Sequence, residues 1–112
     1  MVKKYVPDRA DIVWVDLDPT KGHEQARLRP ALVLSPSKYN QASGLMIACA
    51  ITTKSKGYPF EVMLKGKKVE GVILADQIRT LDWKERKASF LQKADESILS
   101  EVIEKLNVLI GD

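Results

Sequence analysis

Asp11-Ile12-Val13-Trp14-Val15-Asp16-Leu17 decides how the rest of this chain is read. The run is dense in β-branched and aromatic residues, which favour an extended, pleated backbone. It is apolar at both odd and even positions, so the strand it forms is expected to be covered on two faces. Asp18-Pro19 closes it. Downstream, Ala31-Leu32-Val33-Leu34-Ser35 reads as a second short strand, stopped by Pro36, and a third runs from Leu45 to Thr52. Phe60-Glu61-Val62-Met63-Leu64 alternates cleanly, with Phe60, Val62 and Leu64 on one face. A turn at Lys65-Gly66-Lys67-Lys68 leads into Gly71-Val72-Ile73-Leu74-Ala75, which continues toward Ile78. Asp82-Trp83-Lys84-Glu85 has the spacing of an N-cap acid with a glutamate at N3, and predicts a short helical turn. Lys87 to Gln92 is a further candidate strand. Ile98, Leu99, Val102, Ile103, Leu106, Leu109 and Ile110 then follow a helical period, with Asp95 placed to cap the start and Gly111 to end it. That stripe seals one face of a sheet, or meets a subunit partner. Five or six short strands with one terminal helix predict a mainly β fold, a small and mostly antiparallel barrel.

A chain of 112 residues holds one modest core and is too short for two. With no repeat, low-complexity tract or Gly/Ser linker, the reading is a single domain over 1–112. The balance of 18 basic against 15 acidic residues gives +3, which suits a polyanionic partner without demanding one. Cys49 is the sole cysteine and lies in the apolar run Leu45 to Ile51, so a buried thiol is expected rather than a nucleophile or a disulfide. No apolar h-region follows Lys3 and Lys4, and no run approaches the roughly 18 residues of a membrane helix. A cytoplasmic protein without a membrane partner is the expectation.

Charge is concentrated more sharply than +3 suggests. One loop, Pro19 to Pro30, carries Lys21, His23, Glu24, Gln25, Arg27 and Arg29 between two apolar strands. A second, Thr52 to Pro59, carries Lys54, Lys56 and Tyr58. If they leave adjacent strands in register, both sit at one end of the barrel. They would then form a basic cleft that concentrates an anionic strand. Tyr58 and Trp83 are either stacking faces for unpaired bases or packing residues, packing being the commoner use of an aromatic.

Several chemistries are set aside. A histidine-pair ribonuclease needs two imidazoles, and His23 is alone. One Cys, one His and no clustered acids argue against zinc, so no metal and no cofactor is expected. The glycines are scattered, without a phosphate-cradling loop, and Ser35 lacks a glycine-flanked nucleophile elbow. An acid beside a fixed guanidinium is nonetheless the minimum equipment for cleaving a phosphodiester without a metal.

Tyr5-Val6-Pro7-Asp8, Trp14-Val15-Asp16, Asp18-Pro19-Thr20-Lys21-Gly22, Glu24-Gln25 and Arg29-Pro30 together closely resemble the MazF/PemK family, the toxin halves of toxin–antitoxin pairs. The likeness continues through Val33-Leu34-Ser35-Pro36, Tyr39-Asn40, Ser55 to Val62, Leu74-Ala75-Asp76-Gln77 and Asn107 to Gly111. It covers nearly the whole chain and is weakest between about Lys84 and Ser97. What it implies is an SH3-like barrel of the PemK/CcdB type, acting as a homodimer. The implied activity is a sequence-specific, metal-independent endoribonuclease (an mRNA interferase) that cuts single-stranded mRNA to 2′,3′-cyclic phosphate and 5′-hydroxyl ends and inhibits translation and growth. The implied partners are that RNA and a MazE-like antitoxin with an acidic C-terminal segment. By the same likeness Arg29 matches the family's catalytic arginine, Thr52 its catalytic threonine and Glu24 an acid near the scissile phosphate. His23 departs from the serine common in relatives. Lys21, His23, Gln25, Arg27, Lys54, Lys56, Tyr58 and Gln77 are the candidate RNA contacts. Two alternatives stay open: a CcdB-like gyrase-poisoning toxin on the same fold, and a non-catalytic RNA-binding barrel. The first relies on a tryptophan near the C-terminus, whereas this chain ends Leu109-Ile110-Gly111-Asp112.

Overall fold

The computed structural model describes residues 4–16 and 28–111. Its elements are β1 (Asp11–Asp16), β2 (Leu28–Val33), α1 (Ser37–Ser43), β3 (Leu45–Thr52), β4 (Glu61–Lys65), β5 (Glu70–Asp82), β6 (Ser89–Lys93) and α2 (Glu96–Ile110). The six strands form one sheet in the order β4-β5-β3-β2-β1-β6, with every ladder antiparallel. The sheet curls into a half-barrel, and its two end strands meet through a side chain. The Lys68 N–H, in the β4–β5 turn, donates to Gln92 Oε1 on β6 at 3.1 Å.

The doubly apolar pattern of β1 has its expected cause. Ile12 enters one core with Leu32, Cys49, Ile51, Val62, Leu64 and Ile73, closed by Val102 and Leu106 of α2. Val13 and Val15 enter a second core on the other sheet face with Ala31, Val33, Met46, Ala48, Leu81 and Trp83, flanked by Tyr5 and Val6. Burying a valine or leucine to this extent stabilises by about 1.5–3 kcal/mol, so α2 is held chiefly by Val102 and Leu106. Ile98 and Leu99 of the predicted stripe pack partly against the same core. Ile103, Leu109 and Ile110 are exposed, Ile110 at 70%, as is the neighbouring Val108 at 73%.

Three elements differ from the sequence expectation. β2 begins at Leu28, so Pro30 lies inside a strand, opposite Trp14. The β2·β3 ladder covers only Ala31 to Val33, so Pro30's missing N–H falls where β2 has no partner on that side. β5 runs thirteen residues, because it pairs with β4 over its first part and β3 over its second. Helix α1 was not anticipated; it lies between Pro36 and Gly44, whose left-handed φ of 76° ends it with an N–H to Asn40 O at 3.0 Å. Asn40 is fully buried and ties four segments together. Its Nδ2 donates to Pro7 O at 2.7 Å and Ser35 O at 3.0 Å, its Oδ1 accepts from the Ser35 hydroxyl at 2.6 Å, and its carbonyl accepts from Trp83 Nε1 at 2.8 Å. The turn at Asp82 forms as expected. Asp82 Oδ1 accepts from the Lys84 and Glu85 N–H groups at 3.1 and 3.0 Å.

Candidate functional site

Strand alternation assigns Arg29 and Thr52 to the same sheet face. Arg29 shares its side of β2 with Ala31 and Val33, and Thr52 shares its side of β3 with Ala48 and Met46; all four of those neighbours belong to the core opposite α2. Continuing the β2·β3 register two residues past Ala31↔Ala50 brings Arg29 level with Thr52. The start of β2 and the end of β3 are therefore one corner of the sheet, and the floor beside them is of alanines. Small side chains there leave room above the sheet for a ligand.

Each side chain is locally constrained. Arg29 pairs across β1 with Val15, and its Nη1 donates to Leu28 O at 2.8 Å. Thr52 is half-buried, and its Oγ1 accepts the Lys54 N–H at 3.2 Å. Its hydroxyl proton has no acceptor among the described residues, which leaves it to donate to an incoming oxygen. Lys54, Lys56 and Tyr58 are exposed on the loop that follows, with Tyr58 59% exposed and the Lys56 ammonium 6.0 Å from its ring centroid. Gln77 is exposed on the irregular stretch of β5 between Ile73 and Ile78, where the β3·β5 register breaks between Cys49 and Ile51. Lys21, His23, Glu24, Gln25 and Arg27 lie outside the described residues.

The two candidate stacking aromatics divide. Trp83 is 7% exposed and hydrogen-bonded through Nε1, so it is a packing residue. Tyr58 presents its ring. Cys49 is buried as expected, and burial, with a smaller contribution from the Asp76 charge, pushes its thiol up to about 12. Among the described residues no three His, Cys, Asp or Glu side chains gather as a metal ion requires.

Three residues near the corner were not singled out in the sequence. Arg79 on β5 is exposed and lies across from Ala48, adding a cation to the Arg29 face. Glu61 accepts three hydrogen bonds from the 55–57 loop. Its carboxyl is held below the usual range, first by the Ser55 hydroxyl and then by the Lys56 N–H. Gly71, at φ 148°, lies so close to β3 that a Cβ there would sit 2.3 Å from Thr52 O. Only the glycine carried a signal in sequence, as the residue opening an apolar run.

A curled antiparallel sheet with a C-terminal helix, carrying cations and a hydroxyl at one open corner, defines a small barrel built to engage an anion. Comparison with known proteins makes this specific. Residues 8–110 match the family described as PemK-like, MazF-like toxin of type II toxin-antitoxin system, and the chain belongs to that family. It is 50% identical over 111 residues to the endoribonuclease toxin MazF of Escherichia coli K12, covering 99% of this chain and all of that protein. The crystal structure of Deinococcus radiodurans MazF superposes with a TM-score of 0.87 at 51% identity, covering 97% of this chain and 100% of that one. MazF in a MazE-MazF crystal structure from the same organism gives 0.87 at 47%, covering 96% and 98%.

Proposed function

We propose that this chain is the endoribonuclease toxin of a type II toxin–antitoxin pair, cutting single-stranded mRNA at specific sequences and so stopping translation and growth. The observation that carries the reading is the shared corner: Arg29 and Thr52 stand on one face, at one end of neighbouring strands, beside a loop that exposes Lys54, Lys56 and Tyr58. In-line attack by a ribose 2′-hydroxyl needs that proton removed, the phosphorane oxygens stabilised and the departing 5′-oxygen protonated. Arg29 supplies a permanent positive charge to the phosphorane and Thr52 donates its hydroxyl to a non-bridging oxygen. Glu24 takes the 2′-proton, and the departing 5′-oxygen takes a proton from solvent water at the open corner. The products are a 2′,3′-cyclic phosphate and a 5′-hydroxyl, and no step calls for a metal. Lys21, His23, Gln25, Arg27, Lys54, Lys56, Tyr58 and Gln77 bind the RNA and select its bases.

The whole chain, 1–112, acts as one domain in the cytoplasm, where mRNA is translated. No helix among the described residues is long and apolar enough to cross a membrane. The exposed apolar end of α2 supports a homodimer, and the MazE-MazF complexes of relatives support a MazE-like antitoxin whose acidic C-terminal segment competes with RNA for the basic corner. Trp83, the tryptophan nearer the C-terminus, is buried, which disfavours a gyrase-directed toxin.

Incubation of a defined single-stranded RNA with the protein in EDTA, followed by end mapping, tests this directly. Discrete cuts bearing cyclic phosphate are expected. Arg29→Ala is expected to lower kcat by about 10²–10³, the scale of one oriented donor. Wild-type turnover by a folded Arg29→Ala protein refutes the assignment.

A further inference from the structure

The loop that presents Lys54, Lys56 and Tyr58 has no apolar anchor. Residues 53 to 59 are all exposed, so polar contacts must set its shape. Three of those contacts end on one side chain. Glu61, the first residue of β4, receives the Ser55 hydroxyl on Oε1 at 2.7 Å, the Lys56 N–H on Oε2 at 2.8 Å and the Gly57 N–H on Oε1 at 3.3 Å. Gly57 takes a left-handed φ of 73°, which turns successive N–H groups toward the same anion, the geometry of a backbone nest. The Glu61 N–H in turn donates to Tyr58 O at 3.1 Å, closing the loop from the other side. A second tether, Lys105 Nζ to Pro59 O at 2.7 Å, fixes the far end to α2.

A carboxylate on a surface meant for a polyanion is a liability unless its charge is absorbed. Here it is absorbed by backbone and hydroxyl donors, and what it returns is geometry. We propose that Glu61 is a positioning residue for RNA, its carboxylate holding the 55–58 loop in the shape that aims Lys56 and Tyr58 at the strand. This rests on the endoribonuclease reading. Glu61 touches no reacting atom, so its loss acts on substrate capture and leaves the chemical step at Arg29 and Thr52 alone.

The test uses the full chain and its Glu61→Ala and Glu61→Gln variants, with a single-stranded RNA oligonucleotide that the wild type cuts. Because the side chain is only half-buried and its hydrogen bonds are exposed to solvent, both variants are expected to melt close to wild type. In Glu61→Ala, the Lys56 and Gly57 amides should lose hydrogen-exchange protection, while KM rises about tenfold, the scale of one lost phosphate contact or stacked base. The salt dependence of log KM should weaken by about one, and kcat should stay within about twofold. Glu61→Gln keeps one carbonyl acceptor and should fall between. Unchanged KM and salt slope despite lost amide protection would overturn the proposal, as would a fall in kcat at constant KM, or protection that survives in Glu61→Ala. Amide exchange needs no RNA, so a wild type that protects these amides yet cuts nothing overturns the endoribonuclease reading itself.

Discussion

Gly71→Ala links the fold to the chemistry through a single methyl group. At this glycine φ is 148°, and an added Cβ would lie 2.3 Å from Thr52 O, 3.0 Å from its carbonyl carbon and 3.3 Å from Thr53 Cα. All three are backbone atoms, so no side chain can swing aside. Real Cβ atoms keep at least about 3.0 Å from such neighbours, and the two strands must therefore part by about 0.7 Å. Gly71 is held by β4 opposite Leu64, whereas Thr52 is the last residue of β3, where the chain leaves the sheet. The Thr52 end yields. A misplacement near 1 Å at a reacting centre costs about 10²-fold, and overpacking of this kind costs about 1–3 kcal/mol of stability. A folded Gly71→Ala protein, verified by circular dichroism and a thermal melt, is expected to show kcat reduced by about 10–10² on an RNA oligonucleotide. D-alanine at position 71, introduced by ligating 1–48 to 49–112 at Cys49, accepts this φ as its extended region and directs the methyl away from Thr52, so activity should return. Wild-type kcat in a folded Gly71→Ala protein would show that this contact does not set Thr52, or that Thr52 takes no part in the reaction.

The buried Cys49 thiol, pushed up to about 12, leaves about one molecule in 10⁴ as thiolate at pH 8, so a disulfide reagent should modify it only after denaturation; fast stoichiometric reaction of native protein contradicts its burial. Asn40→Ala orphans the carbonyls of Pro7 and Ser35 and the Ser35 hydroxyl, and should cost about 3 kcal/mol, read as a Tm drop on the order of 10 °C at fixed protein concentration. Asp8 is held below its ordinary 3.8, first by the Ser37 N–H. Its contribution is therefore present above 3.8 and is lost as pH falls through the lower folded value. Asp8→Asn should melt below wild type at pH 7, with the two curves converging in acid; a gap that persists well below 3.8 excludes this origin.

How much of this was legible in the sequence follows from which interactions are local. β1, β3 and α2 were readable because periodicity and β-branched content report burial directly, and β3 begins and ends at the expected Leu45 and Thr52. The second half of β5 was not. Asp76 to Thr80 are all exposed, and they are strand only because β3 supplies a ladder from Ile78 onward, a long-range cause invisible in composition. Helix α1 was missed for a related reason: its only hydrophobic-free signal is Gly44, and its stability comes from Asn40 reaching Pro7 and Trp83 across the chain. At the site, Arg29 and Thr52 were named through family likeness. Glu61 read merely as a polar position in an alternating strand, because its importance lies in loop amides whose direction depends on Gly57's backbone.

The corner is open for a topological reason. β2 pairs with β3 only from Ala31 to Val33, and β5 loses register with β3 between Cys49 and Ile51. Both interruptions fall at the same level of the sheet, on either side of Ala50. A continuous ladder there would bring long side chains and closed backbone across the face. The gaps instead leave β3 as a narrow spine between two partly separated neighbours, with Arg29 before it, Thr52 at its tip and Gln77 and Arg79 beyond. The core on the far face, sealed by Val102 and Leu106, keeps this spine rigid while the near face stays shallow. A strand of RNA needs that combination: donors fixed to within a fraction of an ångström, on a surface that a polymer can cross without threading. Lengthening the β2·β3 ladder by replacing Pro30 with a residue that restores the N–H should therefore stiffen the sheet and narrow the approach to Arg29 together. Higher Tm with higher KM is the expected pair, measured on the same preparation. A Tm gain with unchanged KM would mean that the opening is set elsewhere.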